Sequence, residues 1–164
     1  MKIIKIALVL LIALLFFNFK DKDHPKPVIY LVGDSTVKNG KGDGAGGLWG
    51  WGDFIGQFLD TTKISVQNHA LGGTSSRTFQ SKGLWEPVYN KLKKGDYVII
   101  QFGHNDDGPL NDTLRARGTI KGIGEETEEI DNMLTKKHEI VHTYGWYIQK
   151  IVKEIKSKGA IPII

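Results

Sequence analysis

After residue 20, four short segments have a strand-like pattern of apolar positions, and polar or small residues follow the first three of them. These segments occupy residues 28–32, 64–68, 97–102 and 160–164. Runs of about five apolar residues bounded by Pro or Gly are typical of strands buried on both faces, as in parallel sheets. The pattern therefore predicts four parallel strands.

Between these strands the apolar residues recur at helical spacing. Residues 48–59 predict an amphipathic helix despite three glycines, and residues 84–92 predict a short one. Ile140, Tyr144 and later isoleucines predict a final helix that stops at Gly159, with His138 and His142 at its start. Alternating strands and helices indicate an α/β fold with helices on both faces of the sheet.

Two regions fall outside this alternation. Residues 1–20 join a short basic segment to an apolar run that is shorter than a membrane span, which is typical of a signal peptide or an amino-terminal anchor. We therefore expect export to the periplasm or the cell exterior, with residues 21–27 as a linker and membrane contact only through 1–20 if it is uncleaved. Residues 109–134 are polar and predict a long loop, with a solvated acidic run at 125–129.

The absence of cysteine and the balance of charged residues exclude several kinds of site and partner. The chain of 164 residues has no cysteine, which excludes disulfides, thiolate metal sites and a cysteine nucleophile. Its formal net charge is +4. Without Lys2, Lys5 and Lys20 of the first segment, the chain has 19 basic and 18 acidic residues. This balance gives no indication of a basic surface for a nucleic-acid partner.

The residues that follow the first three strands can carry chemistry. Ser35 follows the first strand, Gly73 the second and Asn105 the third. The carboxyl ends of parallel strands meet at one edge, so we expect the three to converge there, where backbone N–H groups and an amide can stabilise an oxyanion. The alternatives are that Ser35 belongs to a helix cap and that Gly73 serves a tight connection.

Three further side-chain types have open roles. Trp49 and Trp51 could stack on a sugar ring or belong to the core. Arg77 could bind a uronate carboxylate or form a salt bridge. The glycines of loop 39–47 match a GxGxxG spacing, but the loop does not directly follow a strand, so a flexible loop is the better interpretation.

Three sequence blocks carry a family resemblance. They are Gly-Asp-Ser-Thr at 33–36, the Asn-His-Ala-Leu-Gly-Gly-Thr-Ser-Ser-Arg-Thr-Phe stretch at 68–79, and Gly-His-Asn-Asp at 103–106. In this order they resemble the first three conserved blocks of the SGNH (GDSL-like) hydrolase superfamily. Their residues are similar to those of its rhamnogalacturonan acetylesterase branch. The resemblance covers residues 28–164.

The resemblance implies a flavodoxin-like three-layer α/β/α sandwich and serine hydrolysis of acetyl esters on a pectic polysaccharide, with no cofactor or metal. It implies that Ser35 is the nucleophile and an oxyanion donor, and that the Gly73 N–H and the Asn105 side chain are the other donors. Arg77 is the candidate for substrate binding.

One element of the family is absent. The catalytic Asp-x-x-His of the family does not occur after the third block, and we interpret the match at 21–24 as chance. A role as substitute base is not expected for His69 or His104. We therefore expect residues 28–164 to be an incomplete hydrolase domain and the chain alone to be essentially inactive. The alternatives are an esterase or lipase for another acyl ester, and a carbohydrate-binding relic without catalysis.

Overall fold

The computed structural model describes residues 26–164. The segment 1–20 and residues 21–25 of the expected linker lie outside the described residues, so the signal-peptide prediction stays a prediction. From residue 26 onward, no helix combines the length and the apolar character needed to cross a membrane.

A four-stranded parallel sheet forms the centre of the described chain, in the order β2-β1-β3-β6, and β4 and β5 form a separate antiparallel hairpin. In chain order the strands are β1 (Val28–Gly33), β2 (Ser65–Asn68), β3 (Tyr97–Gln101), β4 (Thr127–Asp131), β5 (His138–His142) and β6 (Ile161–Ile163), and the α-helices are α1 (Ser76–Ser81), α2 (Glu86–Lys91) and α3 (Tyr144–Ser157).

The predicted α/β class and the four parallel strands are confirmed. The order 2-1-3 of the first three strands is that of flavodoxin-like sheets, in which ligands bind outside the carboxyl ends of the strands. Residue pairing aligns Gly33 at the end of β1 with Gln101 at the end of β3, and Leu31 with Asn68 at the end of β2. The three following turns therefore start at the same edge.

Each face of the sheet has its own apolar cluster. On one face the three helices pack against β1 and β3, and Val32, Ile100, Phe79 and Ile151 are among the buried residues. The smaller cluster on the other face contains Leu31 and is covered by residues 37–70, which hold 3₁₀ turns but no α-helix.

The helix predicted over residues 48–59 is therefore wrong. The structure has two 3₁₀ segments there, Trp51–Asp53 and Ile55–Phe58, and Phe58 is 82% exposed. Gly50 explains the difference, because a Cβ built on it would lie 2.2 Å from the carbonyl oxygen of Val37. Close packing of this backbone against Val37 overrides the helical spacing of the apolar residues.

The loop predicted over residues 109–134 is confirmed up to residue 126, and the acidic run at 125–129 is exposed, but the end of the loop and the start of the last helix are wrong. The end of that loop forms β4, and Ile140 lies in β5 with both histidines that were expected on the helix. The last helix begins at Tyr144 because Thr143 caps it: the Thr143 hydroxyl accepts a hydrogen bond of 3.1 Å from the Trp146 backbone N–H.

Glycine-to-alanine substitutions distinguish the observed 3₁₀ segments from the predicted helix. We expect Gly50→Ala to lower the free energy of unfolding by about 1–3 kcal/mol, because the new methyl group overlaps Val37. Gly56→Ala is the control, since no atom lies within 4 Å of a Cβ built there. Chemical denaturation measures both. Equal stabilisation by the two substitutions, as expected inside a regular helix, would contradict the structure.

Candidate active site

Ser35 lies in the turn that directly follows β1. Gly33 allows this turn to approach β3, because an added Cβ would lie 2.5 Å from the Gln101 carbonyl oxygen and 2.5 Å from Val37 Cγ2. Asp34 closes the turn: its Oδ1 accepts hydrogen bonds of 2.8 Å from both the backbone N–H and the hydroxyl of Thr36. No α-helix follows before residue 76, so the helix-cap alternative for Ser35 is wrong.

The turn after β2 packs directly beside Ser35. Leu71 donates its backbone N–H to the Gly33 carbonyl at 3.0 Å, and the Thr74 hydroxyl reaches the same oxygen at 3.3 Å. A Cβ built on Gly72 would lie 3.5 Å from Ser35 Cβ. Gly73 has φ +81°, a left-handed conformation that favours glycine. The Gly-Gly turn is therefore shaped to place its backbone at the serine.

Asn105 follows β3 and is tied to the same turn. Its side chain is buried, and Nδ2 donates a hydrogen bond of 2.7 Å to the Thr74 carbonyl, which leaves a second amide hydrogen. The neighbouring Asp106 accepts a hydrogen bond of 3.0 Å from the Ser76 backbone N–H. Burial raises the pKa of Asp106, although hydrogen bonds from Ser76 oppose this effect.

The structure thus brings Ser35, Gly73 and Asn105 to one edge of the sheet, as predicted from the strand ends. Within residues 26–164 the backbone N–H groups of Ser35 and Gly73 have no hydrogen-bond acceptor. Such unpaired donors beside a hydroxyl and an amide suit a group that develops negative charge. The individual roles of the three residues stay predictions.

The described histidines are engaged elsewhere or exposed. His69 contacts Gln67 Oε1 at 3.2 Å, and burial together with nearby lysines lowers its pKa. His104 is exposed, and His142 stacks on Trp146 with ring centroids 3.7 Å apart. In the part of the chain from residue 26 onward, no histidine is hydrogen-bonded to the Ser35 hydroxyl. That part also holds no cluster of three or more His, Asp or Glu side chains placed to bind a metal ion.

Arg77 does not face the site as a substrate-binding residue would. It is 1% exposed, and its guanidinium forms two hydrogen bonds with Glu139, Nε at 2.7 Å and Nη2 at 2.8 Å. Nη1 donates to the carbonyls of Leu110 and Gly118 at 2.9 and 2.7 Å. The alternative role, a salt bridge, is the one that the structure shows, because these acceptors engage all three guanidinium nitrogens.

Arg117, which no spacing or periodicity in the sequence singles out, reaches the site instead. Its Nη1 donates a hydrogen bond of 3.0 Å to the Gly73 carbonyl. The only signal in the sequence was its place in the Arg-Gly-Thr-Ile segment 117–120, and no spacing links that segment to the second strand. The contact arises from the path of the long loop.

Trp51 also lies at the site edge. Its backbone N–H donates to the Thr36 carbonyl at 3.1 Å, its indole N–H donates to Gln101 Oε1, and 37% of the residue is exposed. Trp49 is more exposed and packs its ring against Phe54. Neither indole is buried in the core, so the core alternative is wrong for both and sugar stacking stays a hypothesis.

Comparison with known proteins agrees with this geometry. The model of the GDSL-like lipase/acylhydrolase family matches residues 29–162.

The chain belongs to this family. It is 36% identical over 137 residues to the rhamnogalacturonan acetylesterase of Emericella nidulans, a match that covers 83% of the chain and 50% of that protein. It is 41% identical over 155 residues to the rhamnogalacturonan acetylesterase RhgT of Bacillus subtilis, covering 85% of the chain and 65% of that protein. The chain thus spans about half to two thirds of the length of these curated relatives.

A solved structure supports the family fold. The crystal structure of protein YxiM of Bacillus subtilis superposes with a TM-score of 0.57 at 24% identity, covering 84% of the chain and 31% of that chain. At this identity the likeness shows the fold alone. The predicted α/β fold with a parallel sheet is therefore confirmed by both the family model and the structural neighbour.

The Arg77–Glu139 pair predicts a pH dependence of stability. Burial alone would raise the pKa of Glu139, but hydrogen bonds from Arg77 and Asn132 and the charge of Arg77 hold it below its ordinary value of 4.5. Because the folded-state pKa is depressed, the stabilisation is complete above pH 4.5 and is lost as the pH falls through the folded-state value. We expect Glu139→Gln to be less stable than the wild-type chain at pH 7, with a difference that shrinks on acidification.

Urea denaturation at several pH values measures this difference. The matched control is Glu128→Gln in the neighbouring strand β4, which removes an exposed carboxylate. A stability difference for Glu139→Gln that stays constant from pH 7 into the acid range would contradict the role of the ionised pair.

Proposed function

We propose that this chain carries the nucleophile and the oxyanion donors of a serine esterase that removes acetyl groups from a pectic polysaccharide. The observation that carries the proposal is that half-buried Ser35, whose own N–H is unpaired, lies at the same sheet edge as the unpaired Gly73 N–H and the buried amide of Asn105. The names of the relatives, rhamnogalacturonan acetylesterases, support the substrate class.

In this mechanism Ser35 Oγ attacks the carbonyl carbon of the acetyl ester while a base accepts the serine proton. The carbonyl oxygen becomes negative and accepts hydrogen bonds from the Ser35 and Gly73 backbone N–H groups and from Asn105 Nδ2. Collapse of this intermediate breaks the bond to the sugar oxygen, which takes up the proton. Water then hydrolyses the acetyl-serine and releases acetate.

The donors can supply a large part of the rate, because one oxyanion donor contributes about 3–4 kcal/mol to transition-state stabilisation. The described residues supply no histidine base for this reaction, since none of their histidines is hydrogen-bonded to the Ser35 hydroxyl. Serine hydrolases that lose a triad member retain about 10³–10⁴-fold catalysis over water. We infer that the turnover of this chain by itself is slow and is limited by proton removal from Ser35.

Trp51 supports a sugar substrate. Hydrogen bonds at its backbone and at its indole hold it between the Thr36 carbonyl and Gln101, so the exposed part of the ring has a fixed orientation beside the serine turn. A rigid aromatic surface loses little conformational entropy on binding and covers the apolar face of a sugar ring. We propose that Trp51 stacks on the saccharide that carries the acetyl group.

Export is part of the proposal. A polysaccharide of this kind is too large to enter a cell intact, and residues 1–20 have the basic and apolar pattern of a signal peptide or an amino-terminal anchor. We therefore propose that the protein acts in the periplasm or outside the cell.

Chemical rescue tests the esterase mechanism. We expect added imidazole to raise acetate release from acetylated pectin by the purified chain at least about tenfold, because it can accept the proton of Ser35. Ser35→Ala should remove this increase and leave only the slow reaction of imidazole itself. An acetate assay over a series of imidazole concentrations measures both.

The same assay separates the alternatives. Equal rates for the wild-type chain and Ser35→Ala at every imidazole concentration would contradict serine hydrolysis and favour a carbohydrate-binding relic. Ser35-dependent hydrolysis of p-nitrophenyl esters without release of acetate from pectin would favour an esterase for another acyl ester. Unchanged circular dichroism of the variant serves as the folding control.

A further inference from the structure

We propose that Arg117 is a specificity-determining residue that binds the carboxylate of an acidic sugar unit next to the acetyl ester. The proposal rests on the proposed function and extends it, because it assigns a subsite for negative charge to a residue beside the oxyanion donors.

The side chain of Arg117 spans the two turns that carry these donors. Its stem packs on the turn after β3, where a Cβ built on Gly108 would lie 3.8 Å from Arg117 Cγ, and Gly108 donates its N–H to the Asn105 carbonyl at 3.3 Å. Its tip bonds to the Gly73 carbonyl in the turn after β2 at 3.0 Å. The guanidinium is therefore held within the site itself.

The backbone that carries Arg117 is fixed from two sides. Gly118 donates its N–H to the Pro109 carbonyl at 2.9 Å, and Thr119 donates to the Asp106 carbonyl at 2.9 Å. The Gly118 carbonyl accepts from buried Arg77 at 2.7 Å. A Cβ on Gly118 would lie 1.9 Å from the Gly108 carbonyl oxygen, so only glycine permits this approach. The position of Arg117 is thus set before any ligand binds.

The charge of Arg117 is left without a direct counter-ion in the described part of the chain. Arg77 is paired with Glu139, whereas Arg117 forms no salt bridge with any residue from 26 to 164. Partial burial and the charge of Arg115 lower its pKa, and the charges of Asp34 and Asp112 oppose this effect without either carboxylate forming a salt bridge with Arg117. A guanidinium has five N–H donors, and the described residues accept from one nitrogen only.

An anionic ligand satisfies this environment better than a neutral one. A half-buried cation is costly unless it is paired, and the planar fork of arginine matches the two oxygens of a carboxylate. Galacturonate units of pectic polysaccharides present such a carboxylate at every unit. Arg117 bonds to the carbonyl of Gly73, and a Cβ built on the adjacent Gly72 would lie 3.5 Å from Ser35 Cβ. The free edge of the guanidinium is therefore the group that we expect to bind a carboxylate next to an acetyl ester at Ser35.

Binding measurements on the chain and its variants test the proposal. The probes are galacturonate oligosaccharides and the same oligosaccharides with their carboxyl groups reduced to alcohols. We expect the wild-type chain to bind the acidic form at least about tenfold more tightly, a preference that weakens with salt. Arg117→Gln should bind both forms alike, and Arg117→Lys should keep a smaller preference because it retains the charge without the fork.

Arg115→Gln is the matched control, because it removes the same charge from an exposed residue in the same loop and should keep the preference. Equal affinity of the wild-type chain for both probes, absence of binding, or an equal loss of preference in Arg115→Gln would overturn the proposal. An equal loss of affinity for both probes in Arg117→Gln and Arg117→Lys would do so too, since a purely structural role for Arg117 predicts it.

The outcome is separable from that of the proposed function. Ser35→Ala should keep the preference for the acidic probe, because binding does not need the nucleophile. A preserved preference together with acetate release that is independent of Ser35 would reject the esterase mechanism alone. Release that depends on Ser35 without any effect of Arg117→Gln on binding would reject the acidic subsite alone.

Discussion

Parallel pairing of β1 with both β2 and β3 is the constraint on which the candidate site depends. This pairing aligns the ends of the three strands, so the turns that start there occupy the same edge. Residues separated by up to 70 positions in the chain thereby become neighbours. Gly33 then lets the first turn approach β3, and Gly73 adopts a left-handed conformation beside it. The site thus results from sheet topology, with glycine required at the closest approaches.

Arg77 links this edge to the rest of the molecule. Its buried guanidinium connects α1, the loop after β3 and the hairpin of β4 and β5 through Gly118, Leu110 and Glu139. An unpaired charge at this depth would be strongly destabilising, so the three segments are held together. The position of Arg117 depends on the same arrangement, because the carbonyl of the next residue, Gly118, accepts a hydrogen bond from Arg77. Arg77 thus fixes the loop beside the site, and Arg117 donates a hydrogen bond to the Gly73 carbonyl within it.

The sequence was informative where one local pattern decided the structure. The four strands, the short helix now seen as α2 and the convergence of Ser35, Gly73 and Asn105 could all be predicted from apolar runs and their endings. Tertiary contacts decided the rest. Close backbone packing at Gly50 favours 3₁₀ turns where the apolar spacing predicts a helix. The sequence pattern does not reveal β4, because Ile130 is the one buried residue of that strand. The roles of Arg77 and Arg117 depend on the path of a loop that has no periodic pattern.

We propose that Ser35, Gly73 and Asn105 form one oxyanion-binding site. The most direct test is a crystal structure of the chain after reaction with a small fluorophosphonate in the presence of imidazole as the base, because the phosphonyl oxygen then takes the place of the oxyanion. We expect a phosphonate bonded to Ser35 Oγ, with its phosphonyl oxygen about 2.7–3.1 Å from the Ser35 and Gly73 backbone nitrogens and from Asn105 Nδ2. A phosphonyl oxygen directed to solvent, away from these nitrogens, would contradict this prediction.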